Sequence, residues 1–221
     1  MTPPTPPTER PNVAPGRLLA TLAGAGAVAG LLIVLVFGWT QPTIQAYKAR
    51  MLQEAVYEVL EAPDHYDTLY AYAGALHDSL PPGVGPRDKG LDIIYHGYRT
   101  DGTSIGYAIP AGEPGFQDVI RLIFGYDPGT GTILGMKVLE SKETPGLGDK
   151  IEKDQDFVSQ FQGAGSPLKG MKARDVTGTD PHEVAMITGA TISSKAVIRI
   201  INNALERLQP AFQSTVAERS P

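Results

Sequence analysis

The sequence contains no cysteine among its 221 residues and only four histidines. The missing thiols exclude disulfide bonds, iron–sulfur clusters held by thiolates and zinc sites of the cysteine type. The histidines are His65, His77, His96 and His182. Their spacing suits no metal ion, so we expect them on the surface or in loops and predict no metal site.

Basic residues are not in excess over acidic ones either. The chain has 19 lysines and arginines against 24 aspartates and glutamates, which gives a formal net charge of -5. An acidic chain is a poor partner for nucleic acid, so we expect none. The length suffices for one globular domain with an ample core and an additional segment.

Charge is absent from Leu18 to Trp39, LLATLAGAGAVAGLLIVLVFGW. As a helix these residues would extend about 33 Å, enough to cross a bilayer core of roughly 30 Å. A signal peptide would have an apolar region of about 7–15 residues and a small-residue cleavage site. Gly38–Gln41 is a poor cleavage site, so the stretch predicts a retained, single-pass transmembrane helix.

The flanking charges leave the orientation of this helix open. Arg10 and Arg17 precede the span, whereas Lys48 and Arg50 follow it. Because basic residues favour the cytoplasmic side, this near tie selects neither direction.

Composition and periodicity divide the chain into five segments. We predict a disordered proline-rich tail (1–17), the transmembrane helix (18–39), an amphipathic helix or stalk (43–62), an α+β domain (63–210) and a flexible C-terminal tail (211–221).

Within the domain, β-forming residues predict strands over Ile93–Tyr98, Ser104–Ile109, Val119–Tyr126, Thr132–Glu140 and Val184–Ile187. The third and fourth flank Asp127–Gly131, a strong hairpin signal. Helices are predicted over Asp149–Phe161 and from Ser193 or Ser194, as the cap, to about Leu208. Tyr66, Tyr70 and Tyr72 are assigned to packing against the helical region. The fold class is thus α+β, with antiparallel strands flanked by helices.

One segment with chemical potential precedes the last helix: Thr188-Gly189-Ala190-Thr191-Ile192-Ser193-Ser194. A helix N-terminus presents unpaired backbone N–H groups and favours a phosphate. Gly189 and Ala190 allow a ligand to approach closely. An ordinary capped turn explains the same residues, so this segment alone does not decide between the two.

A second segment is the loop Glu143-Thr144-Pro145-Gly146-Leu147-Gly148. Pro145 and the two glycines indicate a shaped, rigid loop. Leu147 could lay its apolar side chain on a flat ring. A tight turn with Asp149 as the helix cap is the alternative, and Glu143 and Lys142 could be plain solvated charges.

Together the two segments resemble the FMN-binding domains of membrane redox complexes, above all the G subunit of the Rnf ion-translocating oxidoreductase. The C subunit of the sodium-translocating NADH:quinone oxidoreductase shares both motifs. The resemblance implies covalent FMN, joined by a phosphoester to Thr191 and attached by a flavin transferase. The implied cofactor-binding residues are Thr191, Thr188, Gly189, Ala190, Ser193, Glu143, Thr144, Gly146, Leu147 and Gly148.

The resemblance further implies an extracytoplasmic domain, on the periplasmic side of the cell inner membrane. It implies an electron carrier that is not independently catalytic and that works with the other membrane subunits of an Rnf-type, ferredoxin- and NAD-linked complex. Three alternatives remain: a C-type subunit of the sodium-translocating enzyme, a non-redox binding or assembly module, and a stand-alone flavin reductase. No nicotinamide-binding fingerprint supports the last of these.

Overall fold

The structure, a computed structural model, describes residues 14–86 and 88–219, with side chains up to Ser214. The tail expected over residues 1–17 therefore lies largely outside the described residues. The chain divides into two compact units, with the boundary between Ala49 and Arg50. Its helices and strands are α1 (Pro15–Val59), β1 (His65–Tyr72), β2 (Ala75–His77), β3 (Asp92–Tyr98), β4 (Ser104–Pro114), β5 (Val119–Asp127), β6 (Thr132–Glu140), α2 (Lys150–Lys153), α3 (Gln155–Val158), β7 (Lys169–Lys172), β8 (Glu183–Met186) and α4 (Thr191–Arg219).

Helix α1 covers both of the helices expected at the N-terminal end. It runs without a break through residues 40–42, which include Pro42 and lie between the two predicted helices. Its apolar part has a mean hydropathy of 2.4, and within the described residues α1 alone is long and apolar enough to cross a membrane. The predicted spanning segment is therefore helical throughout.

The second unit contains a six-stranded antiparallel sheet in the order β2-β1-β3-β4-β5-β6. Strands β7 and β8 form a separate parallel pair. The hairpin predicted at Asp127 joins β5 to β6, where the Asp127 carboxylate accepts hydrogen bonds from Gly129 N and Thr130 Oγ1, both at 2.8 Å. The α+β class and the antiparallel sheet are confirmed.

The sequence reasoning missed three strands and overextended one helix. Strands β1, β2 and β7 were not expected, and the tyrosines at 66, 70 and 72 lie in β1. The helix expected over Asp149–Phe161 is broken at Asp154, where the backbone is extended and the carboxylate accepts from Asp156 N and Phe157 N to start α3. Asp154 interrupts the helix because its side chain caps a new one.

Helix α4 packs on one face of the sheet through a stripe of buried apolar residues, among them Val197, Ile201 and Leu208. It continues past the expected end near Leu208, through Pro210, to Arg219. Ala211 and Phe212 are buried, and the Phe212 ring lies 5.0 Å from that of Tyr107. Residues 211 and 212 therefore belong to the core, although they were expected in a flexible tail.

The opposite face of the sheet receives the last turn of α1. Ala55, Val56, Val59 and Leu60 are buried there with apolar residues of β4 and β5. Three strands present glycines to this helix. A Cβ on Gly97 would lie 2.7 Å from Leu60 Cδ1, one on Gly125 would collide with the Val59 carbonyl oxygen, and one on Gly135 would lie 3.5 Å from Val59 Cα. We call Gly97, Gly125 and Gly135 the glycine strip. Its bare backbone lets the helix lie directly on the sheet.

His96 is buried, contrary to the expectation of surface or loop histidines. Its Nε2 lies 2.7 Å from Ser104 Oγ and its Nδ1 lies 2.7 Å from Tyr98 Oη. The ring also stacks on Tyr107. In this core position the imidazole is satisfied by neighbouring side chains.

Candidate functional site

The turn between β8 and α4 carries the first predicted motif. Ala190 N donates to Ile187 O at 3.0 Å, and Gly189 has a φ of +85°. That left-handed conformation is costly for a residue with a Cβ. The turn places Thr191 as the first residue of α4.

The four hydroxyl groups of this turn fall into two pairs. Ser193 and Ser194 are buried: Ser193 Oγ donates to Glu143 Oε2 at 2.6 Å, and Ser194 Oγ donates to Ala190 O at 2.9 Å. Neither caps α4 in the expected way, because the helix begins before both. Thr188 and Thr191 are exposed, and among the described residues neither makes a side-chain hydrogen bond.

Two candidate acceptor hydroxyls therefore remain. A reagent from solution can reach Thr188 or Thr191 without breaking existing contacts. Reaction at Ser193 or Ser194 would first require loss of a buried hydrogen bond.

Glu143 is a buried carboxylate and not a solvated charge. It is 5% exposed, and Oε1 accepts from Phe116 N at 2.9 Å and from Gln117 N at 3.1 Å. Burial opposes ionisation most strongly, yet the hydrogen bonds from Ser193, Gln117, Phe116 and Asp118 together hold the pKa of Glu143 below its usual value. Glu143 thus joins the 116–117 turn to the first turn of α4.

The two glycines of the second motif serve different purposes. Gly146 has a φ of +76°, and a Cβ added there would meet no atom within 4 Å. Gly148 is not left-handed, but a Cβ there would lie 2.8 Å from Glu143 Cβ and 3.0 Å from Ser193 Oγ. Gly146 therefore allows the turn, whereas Gly148 allows the close approach of Glu143 to α4.

Leu147 projects from this loop and is 50% exposed. Its Cδ2 lies 3.7 Å from the position that a Cβ on Gly189 would take. Thr144 is half-buried, and its carbonyl accepts from Leu147 N at 3.1 Å and from Asp149 N at 3.3 Å. The structure thus brings the two predicted motifs side by side.

Lys142 lies outside this arrangement. Its ammonium donates to Asp118 Oδ2 at 2.8 Å, and both groups are exposed. The hydrogen bond to Asp118 raises the pKa of Lys142. A surface ion pair accounts for this lysine without a ligand.

Two features of the site carried no signal in the sequence. A cavity of about 340 Å³ opens beside Thr188, lined among others by Lys150, Phe157, Gln160 and Met186. In addition, Phe116 is 61% exposed although Glu143 fixes its backbone. The residues of each feature are far apart in sequence, so only the fold brings them together.

The arrangement has the features of a small-molecule site with an exposed hydroxyl beside it. The exposed hydroxyl of Thr191 lies at the first residue of α4, and the half-exposed Leu147 lies beside Gly189. The volume of the neighbouring cavity falls within the range of about 300–1,000 Å³ that is typical of small-molecule sites. In the described residues no group of three or more His, Cys, Asp or Glu could hold a metal ion. Fold and site together define the class: an α+β domain with a small-molecule-sized cavity, preceded in the sequence by an apolar helix.

Comparisons with known proteins agree. The FMN-binding domain family matches residues 115–206. NqrC of Shewanella oneidensis superposes with a TM-score of 0.61 at 19% identity, covering 76% of this chain and 95% of that one. At this identity the likeness shows the fold.

Relatives of known name assign the chain to one branch of the proteins that contain this domain. The G subunit of the ion-translocating oxidoreductase complex of Escherichia coli K12 is 32% identical over 83% of this chain and 86% of its own length. The corresponding protein of Methanosarcina acetivorans is 29% identical over 86% of this chain and 92% of its own. The chain belongs to the family of G subunits of the ion-translocating oxidoreductase complex.

Proposed function

We propose that this chain is an electron-transfer subunit of a membrane-bound, Rnf-type ion-translocating oxidoreductase, with FMN joined covalently to Thr191. The single observation that carries the proposal is the exposed Thr191 hydroxyl at the start of α4, within a domain of the FMN-binding family. The names of the relatives support the assignment to a complex.

The residues around Thr191 have separate roles in this proposal. Glu143 and Ser193 fix the first turn of α4, and Gly148 makes room for that contact. Leu147 and Thr144 are placed to contact a ring held near Gly189. Bound FMN supplies reversible electron transfer, while the protein orients it and tunes its surroundings.

Attachment is a substitution at phosphorus. The Thr191 oxygen forms a bond to the phosphorus of a flavin nucleotide whose phosphate carries a second ester group, and the bond to that group breaks. The hydroxyl proton passes to the leaving group, and no electrons are exchanged. We assign this step to a separate flavin transferase.

Intact mass tests the attachment. Protein produced together with a flavin transferase should gain the mass of FMN less one water, and Thr191→Ala should abolish this gain. Thr188→Ala is the matched control, because Thr188 is the other exposed hydroxyl of the turn. A flavin adduct retained in Thr191→Ala and lost in Thr188→Ala would contradict the assignment.

We further propose that the domain lies on the extracytoplasmic side of the cell inner membrane. The lack of native cysteine allows a clean test. Gln155→Cys introduces one thiol at an exposed position of α3, and a membrane-impermeant maleimide should label it in intact spheroplasts. Labelling only after lysis would place the domain in the cytoplasm.

Colour separates this function from a non-redox assembly module. Purified protein should be yellow, and its flavin should stay with the chain after denaturation. Colourless protein from cells that contain the transferase would favour the assembly module. Co-purification of the other membrane subunits with the tagged chain tests membership of the complex.

A further inference from the structure

Glu143 places a negative charge in the first turn of α4. Its Oε2 accepts from Ser193 Oγ at 2.6 Å, and Ser193 is two residues from Thr191. The N-terminal end of a helix favours an anion, because its first N–H groups lack partners within the helix. Here the Glu143 carboxylate, held by the Ser193 hydroxyl, lies beside this turn.

This carboxylate is fixed in place. Two backbone N–H groups, of Phe116 and Gln117, hold its other oxygen, and Gly148 packs against its Cβ. The lowered pKa of Glu143 means that the group is ionised at neutral pH. The fixed negative charge of Glu143 therefore repels an anion that approaches the start of α4.

We propose that Glu143 prevents reversible binding of a phosphate monoester at the start of α4. The domain then holds FMN by its covalent bond and not by recognition of the phosphate. This inference rests on the proposed attachment at Thr191. A free phosphate monoester carries a charge of about -1.5 to -2 at pH 7. The phosphodiester formed with Thr191 keeps a single negative charge, so the repulsion is smaller in the linked form.

The neighbouring cations do not cancel this charge. Lys142 is paired with Asp118, and Lys153 is paired with Asp149 at 2.7 Å. Lys195, one turn beyond Thr191, is exposed, so solvent and salt screen it. Lys150 lines the cavity beside Thr188, and among the described contacts it makes no hydrogen bond to Glu143. The hydrogen bonds to Glu143 come from the neutral groups Phe116 N, Gln117 N and Ser193 Oγ, so its charge is not paired with a cation in these contacts.

Flavin titrations test the inference. Full-length protein in detergent carries Thr191→Ala to prevent attachment and is titrated with FMN and with riboflavin, which has the same ring but no phosphate. With Glu143 in place, FMN should bind no tighter than riboflavin. Adding Glu143→Gln should increase the preference for FMN over riboflavin about tenfold, which corresponds to about 1.4 kcal/mol. The ratio of the two affinities is the readout, because a change in binding of the ring affects both ligands.

Glu152→Gln is the matched control, because it removes the same charge from an exposed site in α2. It should leave the preference for FMN unchanged. A folded Glu143→Gln protein without a gain in this preference overturns the inference, as does an equal gain in Glu152→Gln.

A salt series covers the case in which Glu143→Gln fails to fold. In the Thr191→Ala protein, added salt screens the repulsion, so FMN affinity should rise relative to that of riboflavin. Relative FMN affinity that fails to rise overturns the inference. Failure of the proposed attachment would be seen in a different experiment: protein that retains Thr191 would show no gain of mass from FMN.

Discussion

Gly148→Ala tests whether the 143–148 loop supports α4 by close packing. The new methyl group would lie 2.8 Å from Glu143 Cβ, 2.9 Å from Glu143 Oε2 and 3.0 Å from Ser193 Oγ. Overpacking of this kind costs about 1–3 kcal/mol. Displacing a hydrogen bond to a charged group costs about 1.5–3 kcal/mol more. We therefore expect the free energy of unfolding to fall by about 2.5–6 kcal/mol.

Gly146→Ala is the matched comparison in the same loop. Nothing lies within 4 Å of its new methyl group, so only the strain of the left-handed backbone remains, about 1–2 kcal/mol. Urea unfolding of the full-length proteins, followed by circular dichroism, measures both losses. If Gly148→Ala is no more destabilising than Gly146→Ala, the loop does not pack on α4 as described.

Three further predictions concern the ring contact, the buried carboxylate and the anchor. Leu147→Ala should change the absorption and fluorescence of the attached flavin while lowering stability by less than about 1 kcal/mol, since Leu147 is half-exposed; an unchanged spectrum would make the leucine structural. Because the pKa of Glu143 is lowered in the folded state, its contribution to stability is complete above its ordinary pKa of 4.5 and is lost as the pH falls through the folded value. The stability gap between wild type and Glu143→Gln should therefore narrow in acid, and a gap that is constant from pH 7 to about pH 3 would contradict this linkage. Leu18–Trp39 should keep the protein in membranes after salt washing, and a truncated protein beginning at Thr43 should be soluble and folded; release of the full-length chain by salt would refute a retained span.

Local signals predicted much of the fold. The turn at Asp127–Gly131 and the β-forming residues around it predicted the β5–β6 hairpin, with Thr132–Glu140 matching β6 at both ends. Strand β1 was missed because only Leu69 and Ala71 are buried among its eight residues. So few inward side chains give no clear alternation.

Nonlocal contacts explain the remaining differences. Pro210 indicates a helix end, but burial of Phe212 against Tyr107 and Tyr126 favours continuation of α4. Glu143 resembled a solvated charge because its donors lie 26, 27 and 50 positions away. Sequence motifs identified the two loops of the site and Glu143 within one of them, but not the contacts through which its carboxylate connects them.

The long sequence separations of the Glu143 contacts impose an order on biogenesis. During synthesis, the Glu143 carboxylate cannot form its hydrogen bond with Ser193 until the chain has grown by 50 more residues. Contacts between distant residues carry a loop-closure cost and form late in folding. The first turn of α4 is thus supported only in a completed domain. If a transferase modifies Thr191 only on that supported turn, flavin is attached only to folded domains, and incompletely folded chains remain unmodified.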